Sequence, residues 1–382
     1  MRFHTPFLPR IPRARIPGRQ PNNFPGAAKA VPFYVGILSI LLALTLTLPT
    51  AIHAGVTNPD ISAIGQVMGG YTDDTGSPDV DHPALHLGEA EFVYDAYLNP
   101  FIKGWFTLSG GEDGFAIEEA FASVVKGLPW GLNMKAGKYR LGFGKLNPSH
   151  PHAYSFISTP RGMASLLGPD GFNETGLQVS ALLPTPGDWA STLSADVIEG
   201  KSFHEGRGNG ARLGALGRWA NDFLLGETGA LETGFSGATG IDSVGPDTRA
   251  YLAGADVKAK FYLPSSSQLV LQAEGILKHS HLVTDTATGA FDAEDRMGFY
   301  GFADYRYHTQ WNGGLLVEQW EREGETSKVD RAFRVFAGYA VLEESTLLRV
   351  AYEHFIPDGG DAVNTVSAQL LFSMGPHKAH QF

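Results

Sequence analysis

The sequence predicts an all-β fold: a transmembrane, antiparallel, up-and-down β-barrel of about 16 strands with no plug domain. Three observations predict it. Polar and apolar residues alternate in short segments over most of the chain, and helical periodicity of useful length is absent. The connections between these segments alternate between short turns and longer polar loops, as in a barrel with one short-turn rim. A basic and then apolar N-terminal stretch reads as an export signal, and no later run resembles a membrane helix. A soluble sandwich would bury the apolar rows and wet the polar ones, but it has no reason to sort its loops by length.

The export signal is read as residues 1–54. Arg2, Arg10, Arg13, Arg15, Arg19 and Lys29 give it a long basic region, and residues 35–48 are apolar but short for a membrane span. Cleavage is expected after Ala54, which leaves residues 55–382 as the barrel. Removing the six basic residues of the leader leaves 23 of the 29 basic residues against 40 acidic ones, a net charge of −17. That balance argues against nucleic acid as a partner. The chain has no cysteine, which excludes disulfides, cysteine-held metals and a lipid-modified N-terminal cysteine. Its mean hydropathy, near zero, suits a wall in which only alternate residues meet lipid.

In chain order, residues 61–71 form a weakly alternating strand. Residues 89–96 set Glu89, Glu91, Val93 and Asp95 against Ala90, Phe92, Tyr94 and Ala96. Asn99-Pro100 turns the chain into a strand at 101–109, followed by one at 115–126. The next strand, 131–144, places Met134, Ala136, Lys138, Arg140 and Gly142 on one face and Gly137, Tyr139, Leu141 and Phe143 on the other. Its basic face is expected to look into a watery lumen and its aromatic face toward lipid. Residues 145–173 are the longest connection and the third on the outer side. Strands then follow at 175–183, 193–197, 210–221, 228–239, 249–263 and 268–278. A polar loop is expected at 281–295, then strands at 297–308, 311–321, 331–342, 346–355 and 363–374.

The polar strand faces carry Glu89, Glu91, Lys138, Arg140, Asp256, Lys258, Lys260, Glu274, Asp304, Arg306, Arg349 and Glu353. In a barrel these residues line the pore, where rings of charge set ion preference. The long connection contributes His150, His152, Arg161 and Asp170. His150 with His152, His279 with His281, and His377 with His380 are the pairs that could hold a metal. None has a third ligand fixed by spacing, so solvated loop histidines and no metal are expected. Glu118 and Glu119 are adjacent and should point to opposite faces of their strand. Hydrolase and phosphate-loop motifs are absent, no cofactor is expected, and the chain is read as a non-enzyme.

The run Ala136-Gly-Lys-Tyr-Arg-Leu-Gly-Phe-Gly144 resembles the Gly-Lys-Phe-Lys-x-Pro-Phe-Gly strand of porins related to the phosphate-selective porins, with Gly142 where that motif often has proline. Asn58-Pro-Asp-Ile-Ser62, Asn147-Pro-Ser-His-Pro-His-Ala153 and Gly375-Pro-His-Lys-Ala-His-Gln-Phe382 resemble a group of uncharacterised outer-membrane proteins, some labelled zinc-regulated or TonB-dependent receptors. A TonB-dependent transporter carries about 22 strands and a plug, for which residues 55–60 leave no room. The resemblance implies a passive, porin-like channel for small solutes or ions in an outer membrane. In sixteen-stranded general porins the third outer loop folds inward and narrows the channel, and the same is expected of residues 145–173. Both termini are expected to be periplasmic. The barrel-assembly machinery and the lipid bilayer are expected partners, and a homo-oligomer is compatible with the pattern. A receptor or transport component, a barrel-borne enzyme and an adhesin are the alternative readings.

Overall fold

The computed structural model describes residues 59–375 apart from 112–113, 204–211, 243, 245–247, 286–287 and 342–344. The expected export segment, its cleavage position and the pair His377 and His380 lie outside the described residues. Sixteen strands run in chain order. The first eight are β1 (Asp60–Thr72), β2 (Ala84–Asn99), β3 (Ile102–Gly111), β4 (Gly114–Val124), β5 (Leu132–Arg140), β6 (Asn173–Leu183), β7 (Trp189–Ile198) and β8 (Gly214–Leu224). The rest are β9 (Gly229–Ile241), β10 (Arg249–Leu263), β11 (Ser267–Asp285), β12 (Ala290–Tyr307), β13 (Trp311–Arg322), β14 (Glu325–Ala340), β15 (Thr346–Ile356) and β16 (Val363–Met374). Each strand pairs antiparallel with its sequence neighbours, and β1 pairs with β16 to close the barrel. Closure leaves no strand edge without a partner, which a spanning sheet requires because lipid offers no hydrogen bonds.

Alternation in the sequence becomes two faces of the wall. One continuous row crosses six strands through Leu193, Trp219, Phe235, Ala255, Gly275 and Phe299. Its large members are all exposed, up to 55% for Phe235. The row one residue over, Asp256, Glu274, Tyr300 and Glu318, is buried inside the ring. So much exposed apolar side chain on a regular face is what lipid contact requires and what a water-exposed surface would not tolerate. Aromatic residues gather at the short-turn rim, where Tyr97, Phe101, Trp130, Tyr262, Tyr305, Tyr307 and Trp311 are exposed. Such rings prefer the interface between hydrocarbon and water.

Two expectations are corrected. Most of residues 281–295 belong to strands and not to a loop: β11 and β12 stay paired from Ser280–Glu294 to Val283–Phe291 and, after a one-residue register shift, at Asp285–Ala290. Their polar side chains reflect a hairpin extended beyond the lipid-facing band, where both faces meet water. The long connection also contains a helix, α1 (Arg161–Leu167), which buries Gly162, Met163, Leu166 and Leu167. Seven residues are too few for helical periodicity to register in sequence.

Val335 stands mid-strand on the outer face of β14 and is 60% exposed. Val335→Arg is expected to lower the barrel's unfolding free energy by about 2–4 kcal/mol, the cost of a cation near a bilayer midplane. Reversible urea unfolding in lipid vesicles measures it.

Candidate functional site

The candidate site is the connection between β5 and β6, residues 141–172, which folds into the barrel. Its apolar residues follow no strand or helix period because they face inward from an irregular backbone. Leu141, Phe143 and Phe156 are completely buried, and Leu146, Tyr154, Met163, Leu166 and Phe172 nearly so. They pack on Leu216, Leu252, Val270, Ile276, Phe302, Leu316 and Phe336 of the facing wall. Phe156 lies 5.3 Å from the Phe302 ring and 5.8 Å from the Phe336 ring. The two ends of the connection are pinned by Asn147, which is fully buried. Its Nδ2 donates to the carbonyls of Leu141 (2.8 Å) and Phe172 (3.0 Å), and its Oδ1 accepts from the Phe172 amide (2.8 Å). Gly144 has φ +64°, and a Cβ there would sit 1.6 Å from Glu274 Oε1, so no larger residue fits without moving the wall.

A backbone buried this way needs partners for its own N–H and C=O groups, and the inner wall supplies them by type. Carboxylates accept from amides: Glu274 Oε2 from Lys145 (3.2 Å) and Leu146 (3.3 Å), and Glu318 Oε2 from Gly162 (2.8 Å). Cationic and amide side chains donate to carbonyls: Arg334 to Ser158 (2.7 Å), Arg349 to His152 (3.1 Å), Asn312 to Ser155 (3.3 Å) and Arg296 to Ser165 (3.4 Å). Arg161 of α1 pairs with Glu353 at 2.7 Å, and Arg334 meets the same carboxylate. Arg218, Arg296, Glu318 and Arg334 were not singled out from sequence, although their strand parity marks them as inward-facing.

Asp256, Lys258, Asp304 and Arg349 are buried on the inner face, and Glu89, Lys260 and Arg306 are partly buried there. Asp256 is held by Arg218 at 2.6 Å. Asp304 is held by Arg306 at 2.9 Å and by Asn312 at 3.0 Å. Asp170 has an exposed side chain, and its carbonyl accepts from Arg140 at 3.3 Å. A cavity of about 670 Å³ opens at the short-turn rim, lined by Gln268, Arg306, Asn312 and Arg349 and backed by residues 152–155 of the connection.

The expected faces of β5 are reversed. Lys138 belongs to the row of Phe106, Ala120 and Thr175, with Phe106 53% exposed, and its Nζ bonds the Ile117 carbonyl. Lys138 therefore stands on the outer face and does not line the interior. Tyr139 turns inward, fully buried, and donates to Asp196 Oδ1 at 2.8 Å. The inner face of β5 carries Lys135 beside the buried Tyr139 ring, and the outer face carries Lys138, so polarity does not distinguish lumen from lipid on this strand. Arg140, at the end of β5, packs its guanidinium on Glu118 at 2.7 Å and reaches the Asn147 and Asp170 carbonyls.

A second cluster joins the connection to β2 and β4. The register between β3 and β4 shifts so that Thr107 faces Glu119 and Leu108 faces Ile117, which leaves Glu118 as an extra residue in a bulge. Glu118 and Glu119 therefore both reach His150, contrary to the opposite-face expectation: Glu118 Oε1 is 3.4 Å from Nδ1 and Glu119 Oε2 is 3.0 Å from Nε2. Nor are His150 and His152 solvated. Both are buried, with their rings stacked 5.5 Å apart, and each Nδ1 lies 3.3 Å from Glu91 Oε2. Burial opposes a proton on His150, but the contacts to Glu118, Glu119 and Glu91 outweigh it and hold its pKa well above the ordinary value.

No protein-family model matches the chain. A protein of Aquifex aeolicus (strain VF5), described only as uncharacterized, is 26% identical over 339 residues, covering 78% of this chain and 70% of that protein. Among solved structures, the chain is similar to an anion-selective porin from Comamonas acidovorans (10% identity, TM-score 0.55, 83% of this chain and 99% of that one). It is likewise similar to the outer membrane channel DcaP of Acinetobacter baumannii (10%, TM-score 0.55, 83% and 97%). OmpF of Salmonella typhi, solved with daunomycin, gives 11% and a TM-score of 0.56 over 83% and 97%. At these identities the likeness is one of fold: a closed sixteen-strand barrel of the outer-membrane porin type.

Glu353→Ala would leave the buried Arg334 guanidinium without its carboxylate and is expected to lower the unfolding free energy by about 3–5 kcal/mol. Arg161→Ala removes only the more exposed partner and is expected to cost less than about 1 kcal/mol. Urea unfolding of the two variants in the same lipid checks the difference.

Proposed function

We propose that this porin-type barrel is a channel in an outer membrane through which small solutes or ions diffuse passively, with a bore set by residues 141–172. The observation that carries the reading is the wall-anchored connection inside a closed barrel. A fixed internal segment narrows a wide ring without sealing it with a separate domain. The related folds support the reading, since two of the three structures named above are described as a porin and a channel. On the same reading, the leader exports the chain, the barrel-assembly machinery inserts it, and both ends lie in the periplasm. A homo-oligomer fits too: the OmpT barrel of Vibrio cholerae, of similar fold, is described in a trimer form. No catalytic role is proposed.

Selectivity in this reading follows from inward charges that keep some contact with water. Lys260 of β10 and Arg306 of β12, one strand apart across β11, are partly exposed on the inner face, with Lys258 buried beside Lys260. Glu232, opposite Lys258 in the β9–β10 pairing, offsets them only in part, because it also pairs with Lys145. Charges beside a narrow, low-dielectric wall outweigh distant ones screened within about 8–10 Å at physiological salt. Anions are therefore admitted despite the acidic total.

In planar bilayers, the refolded protein is expected to give stepwise conductance, and deletion of residues 162–171 to raise it while the barrel stays folded. Lys258→Glu combined with Lys260→Glu is expected to move the reversal potential in a salt gradient toward cation preference. Lys138→Glu, on the outer face, should leave it unchanged. A folded wild-type barrel that passes no current would overturn the reading.

A further inference from the structure

We propose that Glu91, His150 and His152 form a binding site for a divalent transition-metal ion of the zinc type, clamping the internal connection to the barrel wall. The geometry is that of converging ligands. Glu91 is 2% exposed, and its buried Oε2 makes no hydrogen bond, although two imidazole nitrogens stand 3.3 Å away. The Nδ1 of His150 is likewise buried without a hydrogen bond. Two ligand atoms each about 2.0–2.1 Å from a tetrahedral zinc ion lie about 3.3 Å apart. The two edges from Glu91 Oε2 to the histidine Nδ1 atoms have that length, and all three ligand atoms fall within 4.8 Å of one another.

The surroundings complete the site. His150 Nε2 lies 3.0 Å from Glu119 Oε2; a metal ion that displaces the proton of Nδ1 would leave Nε2 donating to that carboxylate and the Nδ1 lone pair aimed at the cluster. A carboxylate behind a histidine is how protein metal sites fix the tautomer and strengthen the ligand. Glu118 adds negative charge beside these ligands: its Oε2 is buried without a hydrogen bond, and its Oε1, held by Arg140, lies 3.4 Å from His150 Nδ1. With neutral imidazoles, the carboxylates of Glu89, Glu91, Glu118 and Glu119 against the cations of Arg140 and Lys135 leave two negative charges, which one divalent cation balances. Two imidazoles with carboxylates suit zinc better than magnesium or calcium, which prefer all-oxygen sets. The site does not depend on whether the barrel conducts.

The test is zinc binding to the metal-stripped, refolded barrel in detergent, by calorimetry, with cobalt as a spectroscopic stand-in. One tight site per chain is expected, with the intense visible absorption of tetrahedral cobalt. Glu119→Gln should weaken zinc roughly 10–100-fold, as loss of a supporting carboxylate does, and His150→Ala combined with His152→Ala more than about 100-fold. His279→Ala combined with His281→Ala should leave binding unchanged. Wild type binding zinc no more tightly than the folded His150/His152 variant would overturn the site. Should that variant not fold, absence of tetrahedral cobalt absorption from the wild-type barrel overturns it instead.

Discussion

A ring of sixteen strands is too wide for its own side chains to fill, and this constraint governs the interior. Here the space is occupied by main chain, residues 141–172, and main chain brings buried N–H and C=O groups that must be paired. The inner wall meets the demand with carboxylates where the connection presents amides and with guanidiniums where it presents carbonyls. Glu274, Glu318, Arg334 and Arg349 are therefore half of a hydrogen-bond system whose other half is irregular backbone.

This division changes what an inward charge means. In a water-filled barrel, charges on the polar face tune the field seen by a passing ion. In this barrel, Asp256, Asp304, Arg334 and Glu353 are held in close pairs or bound to the connection, and their fields are largely cancelled nearby. The charges left to shape a passage are those half in water, such as Lys260. Electrostatic selectivity therefore rests on a few residues, although the wall carries many.

The connection is held on one flank by apolar packing and arginines and on the other by the histidine cluster. A single bulge residue, Glu118, lets two adjacent carboxylates approach one imidazole. A metal ion there would join β2 to the connection through Glu91, with Asn147 and the Arg140–Glu118 pair a few residues away. The position of the internal segment would then depend on coordination bonds as well as on packing.

By itself the sequence determined the strands and the class of fold, because alternation over a spanning strand follows from having lipid on one side and a different medium on the other. The row from Leu193 to Phe299 is readable that way, and so are Asp256, Lys258 and Asp304 as its inward neighbours. Tertiary structure decided the rest. Each face of β5 carries a lysine, Lys135 inside beside the buried Tyr139 ring and Lys138 outside, so the polarity of Lys138 and Tyr139 pointed the wrong way. The bulge at Glu118 shifts parity by one residue without any change in composition. The partnership of Glu91 with His150 and His152 joins side chains some sixty residues apart in the chain, brought together only once the barrel has closed and the connection has turned inward.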